Sequence, residues 1–171
     1  MRWWGLVVMA AGVLALGAVS VFEMPKRLIY NGSASAPLGF YWADHGRISR
    51  GDFVFTRLPK WAEKLIERRG YLPPGVPLIK RVVGMTGDEI CRQGREVFVN
   101  GVAVAIARMR DEAGWKMPVW QGCRILSADE VFLLQEHPRS FDGRYFGPIN
   151  RRFIISRVKR LRSPCSQGDQ E

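Results

Sequence analysis

An uncharged apolar run near the start of the chain constrains the fold more than any other feature. It extends from Trp3 to Phe22 and contains 20 residues, about the length that an α-helix needs to cross a bilayer. The run exceeds the apolar core of a usual secretory signal and lacks a clean small-residue cleavage site, which favours a retained anchor. We therefore predict an N-terminal transmembrane helix within residues 1–24, an exported domain over residues 25–162 and a disordered tail over residues 163–171. A cleaved secretory signal is the alternative for the first segment.

The charge of the chain indicates an anionic partner. The 171 residues carry a formal net charge of +10, which is typical of proteins that bind a membrane surface or nucleic acid. The apolar run favours the membrane, and we expect no nucleic acid. A basic, membrane-tethered β module without catalysis is an alternative function, supported by the basic cluster over residues 151–162. Without a Walker loop, a dinucleotide fingerprint or Cys/His ligand spacing, the sequence predicts no cofactor and no metal.

Short alternating runs bounded by turn residues predict a mainly β, barrel-like domain. The clearest element is a hairpin over residues 96–105, because Asn100-Gly101 suits a tight turn with positive φ angles. One soluble helix is predicted over residues 59–69, with Trp61 and Leu65 toward one face and Ile66 as a further candidate for that face. The other predicted strands cover residues 39–42, 52–56, 78–83, 89–91, 131–134 and 153–158. Loops are predicted over residues 109–120 and 136–145.

Three cysteines are present, Cys91, Cys123 and Cys165. An oxidising compartment allows one disulfide and leaves one cysteine over. Cys91 and Cys123 occur in similar strand-like contexts, so we predict that these two form the disulfide and that Cys165, in the polar tail, is free. Reduced, unpaired cysteines are the alternative, because a sequence gives no distances.

Two segments carry candidate catalytic side chains. Ser33 and Ser35 lie among small residues in the stretch 30–41, where little crowds an approaching substrate. A serine hydroxyl is a poor nucleophile at neutral pH and needs a base. Lys80 is the candidate base, because burial in the apolar run 78–84 would disfavour its charged form and lower its pKa. A flexible connector and a solvated lysine are the alternatives.

Together with a third segment, these residues resemble the type I signal peptidases, which are membrane-anchored Ser/Lys peptidases. The match rests on three segments in the order of the family: the serine stretch with Pro37, residues 80–88, and residues 140–147, Ser-Phe-Asp-Gly-Arg-Tyr-Phe-Gly. The pattern is most similar to the conjugative-transfer branch, whose members mature the pilin subunits of plasmid transfer systems. Housekeeping signal peptidases carry the proline one place later and a Gly-Asp-Asn-Arg segment where this chain has Gln-Glu-His-Pro-Arg at residues 135–139.

The resemblance implies a role for each of four residues. Ser35 would be the nucleophile and Lys80 the general base. Ser33 would help the backbone N–H of Ser35 to hold the oxyanion, and Ser140 would orient the Lys80 amine. The reaction would be acyl transfer through an acyl-enzyme, released by water or by another amine.

The resemblance also implies the setting of the enzyme. Asp142 and Arg144 would form a structural ion pair, or Asp142 would contribute directly to catalysis. The fold would be a signal-peptidase-like β-barrel anchored in the bacterial inner membrane by one helix, with the catalytic domain in the periplasm. The partner would be an exported, pilin-like precursor, which the enzyme would cleave and in some cases cyclise. A general signal peptidase I is the alternative within the family.

Overall fold

The structure is a computed structural model that describes residues 3–5, 7–9, 12, 27–33 and 35–161. The described positions before residue 13 are all helical. Most of the predicted anchor lies outside the described residues, as does the predicted tail with Cys165. Within the described ranges, no helix is both long enough and apolar enough to cross a bilayer.

Seven strands form the larger of two antiparallel sheets. They are β1 (Leu28–Asn31), β2 (Gly39–Asp44), β3 (Phe53–Thr56), β4 (Leu78–Gly84), β9 (Glu130–Leu134), β10 (Ile149–Asn150) and β11 (Ile154–Arg160). Their order across the sheet is β1-β2-β11-β3-β4-β9-β10. Strand β4 therefore has a hydrogen-bonded neighbour on each side, β3 and β9, and its side chains are held in fixed register.

Four strands form the smaller sheet. They are β5 (Glu89–Gln93), β6 (Glu96–Val99), β7 (Val102–Ile106) and β8 (Gly122–Ile125), in the order β7-β6-β5-β8. The turn between β6 and β7 has positive φ angles at both central residues, 50° at Asn100 and 78° at Gly101. This is the geometry that an Asn-Gly pair favours, and the predicted hairpin is confirmed.

Helix α1 (Lys60–Arg68) covers one face of the larger sheet. It begins after Pro59, and Gly70 follows its last turn with a φ of 66°, the conformation in which a glycine commonly ends a helix. Ala62 and Ile66 are the buried residues of the helix. Of the three residues predicted toward one face, Ile66 is buried, Leu65 is half-buried and Trp61 is 48% exposed. Each helical residue is rotated by about 100° from the last, so the buried face is centred on Ala62 and Ile66 and leaves Trp61 at its edge.

The core is continuous between α1 and the larger sheet. Val54, Val82 and Leu133 come from the adjacent strands β3, β4 and β9, are fully buried, and belong to one cluster with Ile66 of α1. In the register between β3 and β4, Lys80 lies directly opposite Val54. Lys80 therefore lies beside the apolar core.

The predicted disulfide is present and joins the inner strand β5 to the edge strand β8 of the smaller sheet. Cys91 on β5 lies opposite Cys123 on β8, and their sulfur atoms are bonded. The prediction of a mainly β fold is confirmed.

The predicted loop over residues 136–145 contains a second helix. Helix α2 (Gly143–Phe146) has only four residues and is capped by Asp142, whose carboxylate accepts a hydrogen bond from the backbone N–H of Arg144 at 3.1 Å. A single turn has no periodicity from which a sequence could predict it. The loop prediction is therefore wrong over this turn.

Candidate active site

Lys80 is buried in the middle of β4. Its side chain is 1% exposed, and its Nζ donates a hydrogen bond to Oγ of Ser140 at 2.6 Å. Burial disfavours the ammonium form and lowers the pKa of Lys80 to about 8. The negative charge of Asp142 opposes this shift and the positive charge of Arg144 adds to it. The neutral amine, which can accept a proton, is therefore accessible near neutral pH.

The two candidate serines lie on the connection between β1 and β2. The side chain of Asn31 holds this connection, since its Nδ2 donates to the carbonyl oxygens of Ser33 at 3.0 Å and Ala36 at 3.1 Å. Its Oδ1 accepts a hydrogen bond from the N–H of Ser33. The hydroxyls of Ser33 and Ser35 are 2.8 Å apart and hydrogen-bonded. The two hydroxyls thus lie side by side on a backbone segment that is held by hydrogen bonds to the side chain of Asn31.

Four of the predicted site residues line one cleft of about 430 Å³: Ser33, Ser35, Lys80 and Ser140. They come from three separate parts of the chain, the β1–β2 connection, strand β4 and the segment before α2. Only the fold brings them together, because 60 residues separate Lys80 from Ser140. We refer to this space as the first cleft.

Asp142 and Arg144 do not line the first cleft and lie behind it as a buried ion pair. Nε and Nη2 of Arg144 donate to the two carboxylate oxygens of Asp142 at 2.9 and 2.7 Å. Nη2 also donates to the carbonyl oxygens of Gln135 at 2.7 Å and His137 at 2.9 Å. The pair therefore holds the segment that carries Ser140. Although burial alone would lower the pKa of Arg144, its bonds and charge attraction to Asp142 raise it above the usual value.

A second buried arginine supports the same segment from the smaller sheet. Arg92 on β5 is 1% exposed, and its Nη1 donates to the carbonyl oxygen of Arg144 at 2.5 Å. The Nη2 atom of Arg92 is buried without a hydrogen-bond partner among the described residues. The sequence pattern did not indicate Arg92, because an arginine in an alternating strand is normally solvated.

The loop predicted over residues 109–120 forms part of the wall of the first cleft, which the sequence did not indicate. Asp111 accepts hydrogen bonds from the hydroxyl of Tyr71 and from Arg69. Glu112 accepts one from Nη1 of Arg139 at 2.6 Å, and this contact joins the loop to the segment before Ser140. These partners are 27 to 42 residues apart, so local patterns could not identify them.

The described residues contain one group with a metal-ligand composition, Glu89 with Cys91 and Cys123. Both sulfur atoms are used in the disulfide, and a metal requires thiolates. This group gives no support for a metal site.

Comparisons with known proteins place the chain among peptidases and plasmid transfer proteins. The family model described as signal peptidase, peptidase S26, matches residues 1–161. A plasmid transfer protein TraF of Escherichia coli is 31% identical over 140 residues, which cover 75% of this chain and 79% of that protein. A second TraF of Escherichia coli is 30% identical over 167 residues, covering 88% and 93%.

Two further similarities are lower. The conjugal transfer protein TraF of Agrobacterium fabrum is 29% identical over 149 residues, covering 80% of this chain and 82% of that protein. Among solved structures, a signal peptidase I from Enterococcus faecalis V583 is 15% identical and covers 68% of this chain and 100% of that one, with a TM-score of 0.40. That structural likeness is too low to bear on the arguments below.

Proposed function

The chain belongs to the signal peptidase family, peptidase S26, and from this premise we propose that it is a membrane-anchored serine endopeptidase with a Ser35/Lys80 dyad. The observation that carries the proposal is the buried amine of Lys80, which has a pKa of about 8 and lies in the same cleft as Ser35. A buried lysine without an ion-pair partner is costly to the fold. Such a cost is commonly tolerated where the group is needed for chemistry.

In the first step, neutral Lys80 accepts the proton of Ser35 Oγ as this oxygen attacks the scissile carbonyl. Lys80 Nζ already donates one hydrogen to Ser140 at 2.6 Å. A neutral amine has one lone pair, and this contact leaves the lone pair free to turn toward Ser35. Ser140 thus acts as a positioning residue.

The carbonyl oxygen becomes an oxyanion in this step and needs hydrogen-bond donors. The backbone N–H of Ser35 and the hydroxyl of Ser33 would supply them. The Ser33 hydroxyl now contacts Ser35 Oγ at 2.8 Å, so a rotation about one side-chain bond redirects it to the oxyanion. One such donor typically contributes about 3 kcal/mol of transition-state stabilisation.

The ammonium of Lys80 then returns its proton to the leaving amine, and the C–N bond breaks. The acyl group remains as an ester on Ser35. Water, activated by neutral Lys80, or an acceptor amine attacks this ester and frees the serine. Hydrolysis gives a shortened linear precursor. Attack by the amino terminus of the same precursor consumes no water and gives a cyclic product that is one water lighter than that linear product.

The substrate we propose is an exported, pilin-like precursor of a conjugation system. Support comes from relatives that are named for plasmid and conjugal transfer. The apolar run over residues 3–22 supports anchoring in the bacterial inner membrane. The Cys91–Cys123 disulfide supports a catalytic domain in the oxidising periplasm.

The test is mass spectrometry of a co-expressed pilin-like precursor with the wild-type protein, Ser35→Ala and Lys80→Ala. We expect a shortened or dehydrated product with the wild type and none with either variant. Ser49→Ala and Lys64→Ala, which alter exposed side chains outside the first cleft, should process the precursor normally. Processing that persists in both dyad variants would contradict the assignment. Equal processing of unrelated secretory precursors would indicate a general signal peptidase.

A further inference from the structure

A second cleft adjoins Ser35 on the side away from Lys80. It has a volume of about 540 Å³ and shares Ser35 and His137 with the first cleft. Successive residues of a strand point to opposite faces, and accordingly Lys80 lines the first cleft whereas its neighbour Arg81 lines the second. Ser35 therefore lies at the boundary between two separate spaces.

A peptide attacked by Ser35 must continue in both directions from its scissile bond. The first cleft contains Ser33, the candidate oxyanion donor, and apolar side chains that suit small residues, namely Ile66, Leu72, Leu78 and Met117. The described lining residues of the second cleft do not include Ser33, and its apolar side chains lie beside two charged ones, Arg81 and Glu136. The first cleft thus suits the acyl side of the peptide, which leaves the second for the amine side.

The second cleft contains a charged pair whose two members differ in mobility. The guanidinium carbon of Arg81 lies 4.9 Å from the ring centre of Phe53, which fixes its position. Nη2 of Arg81 contacts Oε1 of Glu136 at 3.3 Å, and the Glu136 side chain is 83% exposed. Such an exposed contact is weak, so Glu136 can turn to a ligand while Arg81 stays in place.

Glu136 is the one carboxylate among the described residues of the second cleft. The two carboxylates that line the first cleft are already engaged, Asp111 by Tyr71 and Arg69, and Glu112 by Arg139. Glu136, whose exposed contact with Arg81 is readily exchanged for a ligand, therefore lies on the side where the leaving segment must pass.

We propose that the second cleft binds the segment on the amine side of the scissile bond, and that Glu136 selects a positively charged group within its first few residues. This inference rests on the proposed function and extends it to the substrate. By microscopic reversibility, an acceptor amine that attacks the acyl-enzyme occupies the place of the leaving amine. The Ser35 ester bond then breaks, an amide bond forms, and the amine proton passes through Lys80 to Ser35 Oγ.

The reaction of the acyl-enzyme with an added amine, in competition with water, therefore measures how well the second cleft binds that amine. One peptide substrate is cleaved by the full-length protein in detergent in the presence of Gly-Lys-amide or Gly-Glu-amide, which offer the same attacking glycine amine. Chromatography with mass spectrometry gives the ratio of acyl transfer to hydrolysis. This ratio is independent of the rate at which the acyl-enzyme forms.

We expect the wild type to favour the lysine acceptor by about two- to fivefold, the range of one exposed ion pair. Glu136→Gln should abolish the preference for lysine, because the positive charge of Arg81 then remains in the cleft without its carboxylate, and Glu136→Lys should reverse the preference. Glu96→Gln removes an exposed carboxylate that lines neither cleft and should keep the wild-type preference. An unchanged preference in Glu136→Gln overturns the proposal.

A second measurement tests which side of the peptide the cleft binds. Peptide substrates carry lysine or glutamate either before or after the scissile bond, and kcat/KM is compared for the wild type and Glu136→Lys. The variant should change the response only to charge after the bond, and a change that follows charge before the bond overturns the proposal. If the wild type cleaves none of these peptides, or Ser35→Ala cleaves them equally well, the proposed function itself is wrong. This outcome is distinct from failure of the proposal for the second cleft, in which the peptides are cleaved but Glu136→Lys does not change the response to charge after the bond.

Discussion

The free energy cost of burying Lys80 determines how the proposed Ser35/Lys80 dyad should respond to pH. Its pKa is lowered to about 8 chiefly because the side chain is removed from water, with Asp142 opposing the shift and Arg144 adding to it. A group with this pKa is about one-tenth neutral at pH 7. The catalytic form is therefore a minority at neutral pH and the majority in mildly alkaline solution.

We predict that kcat/KM rises with pH through an apparent pKa of about 8 and levels off above it. The reason is that only the neutral amine can accept the Ser35 proton. The measurement is cleavage of a fluorogenic peptide between pH 6 and pH 10. A profile that has already levelled off at pH 7 would show that Lys80 is not the general base.

Asp142 has two possible roles, and Asp142→Asn separates them. The charge of Asp142 raises the pKa of Lys80, so its removal should move the midpoint of the pH profile to lower pH. Asparagine keeps the shape of the side chain and one oxygen that accepts from Arg144, so a structural role should leave most of the plateau, whereas a direct catalytic role would abolish it. The variant should also lose about 3–5 kcal/mol of unfolding free energy, because Arg144 becomes a buried charge without its carboxylate.

The control for this loss is the double variant Asp142→Asn/Arg144→Met, in which both charges of this ion pair are removed together. It should recover part of the unfolding free energy, measured by urea denaturation. If the double variant is no more stable than Asp142→Asn, the ion pair is not the cause of the loss.

At the scale of elements, α2 depends on its close approach to β9. A Cβ atom on Gly143 would lie 2.6 Å from the carbonyl oxygen of Leu133 and 2.6 Å from the ring of Phe132. The backbone of a central strand cannot yield by this amount, so α2 would have to move. That movement would displace Ser140 and the Asp142–Arg144 pair together.

We predict that Gly143→Ala lowers the unfolding free energy by about 1–3 kcal/mol, the usual cost of overpacking. Activity should fall further than the folded fraction accounts for, because Lys80 loses its alignment with Ser140. Gly51→Ala is the control, since its φ of 89° makes alanine strained but its Cβ would meet no atom within 4 Å. It should lose stability and keep kcat per folded molecule. Equal activity losses in the two variants would contradict the prediction.

The elements differ in how much of them the sequence could predict. The β6–β7 hairpin was predicted because Asn100-Gly101 has a local conformational preference, and α1 because its periodicity extends over two turns. Helix α2 was missed because it is a single turn stabilised by a cap and by Arg92 from the other sheet. The candidate serines and Lys80 could be named from their local segments, but their common cleft depends on sheet pairing between distant residues.

At the scale of the whole molecule, a single carboxylate joins the two sheets. Asp88 lies in the turn between β4 of the larger sheet and β5 of the smaller one. Its oxygens accept hydrogen bonds from Arg50 at 2.7 Å, from Asn100 Nδ2 at 2.8 Å and from the N–H of Met85 at 2.6 Å. Burial alone would raise the pKa of Asp88, but these bonds together hold it below its usual value.

We therefore predict that Asp88→Asn destabilises the protein by about 1–3 kcal/mol at pH 7, the range for a buried, charge-assisted hydrogen-bond acceptor. Because the folded pKa of Asp88 lies below the unfolded one, its contribution is complete above about pH 4 and is lost as the pH falls through the folded value. The stability difference between wild type and variant should therefore shrink below pH 4. Repulsion from the net charge of +10 grows on acidification in both proteins and largely cancels in the difference. Urea midpoints from pH 7 to pH 2.5 provide the measurement, and a difference that stays constant over this range would show that the Asp88 charge does not stabilise the junction of the two sheets.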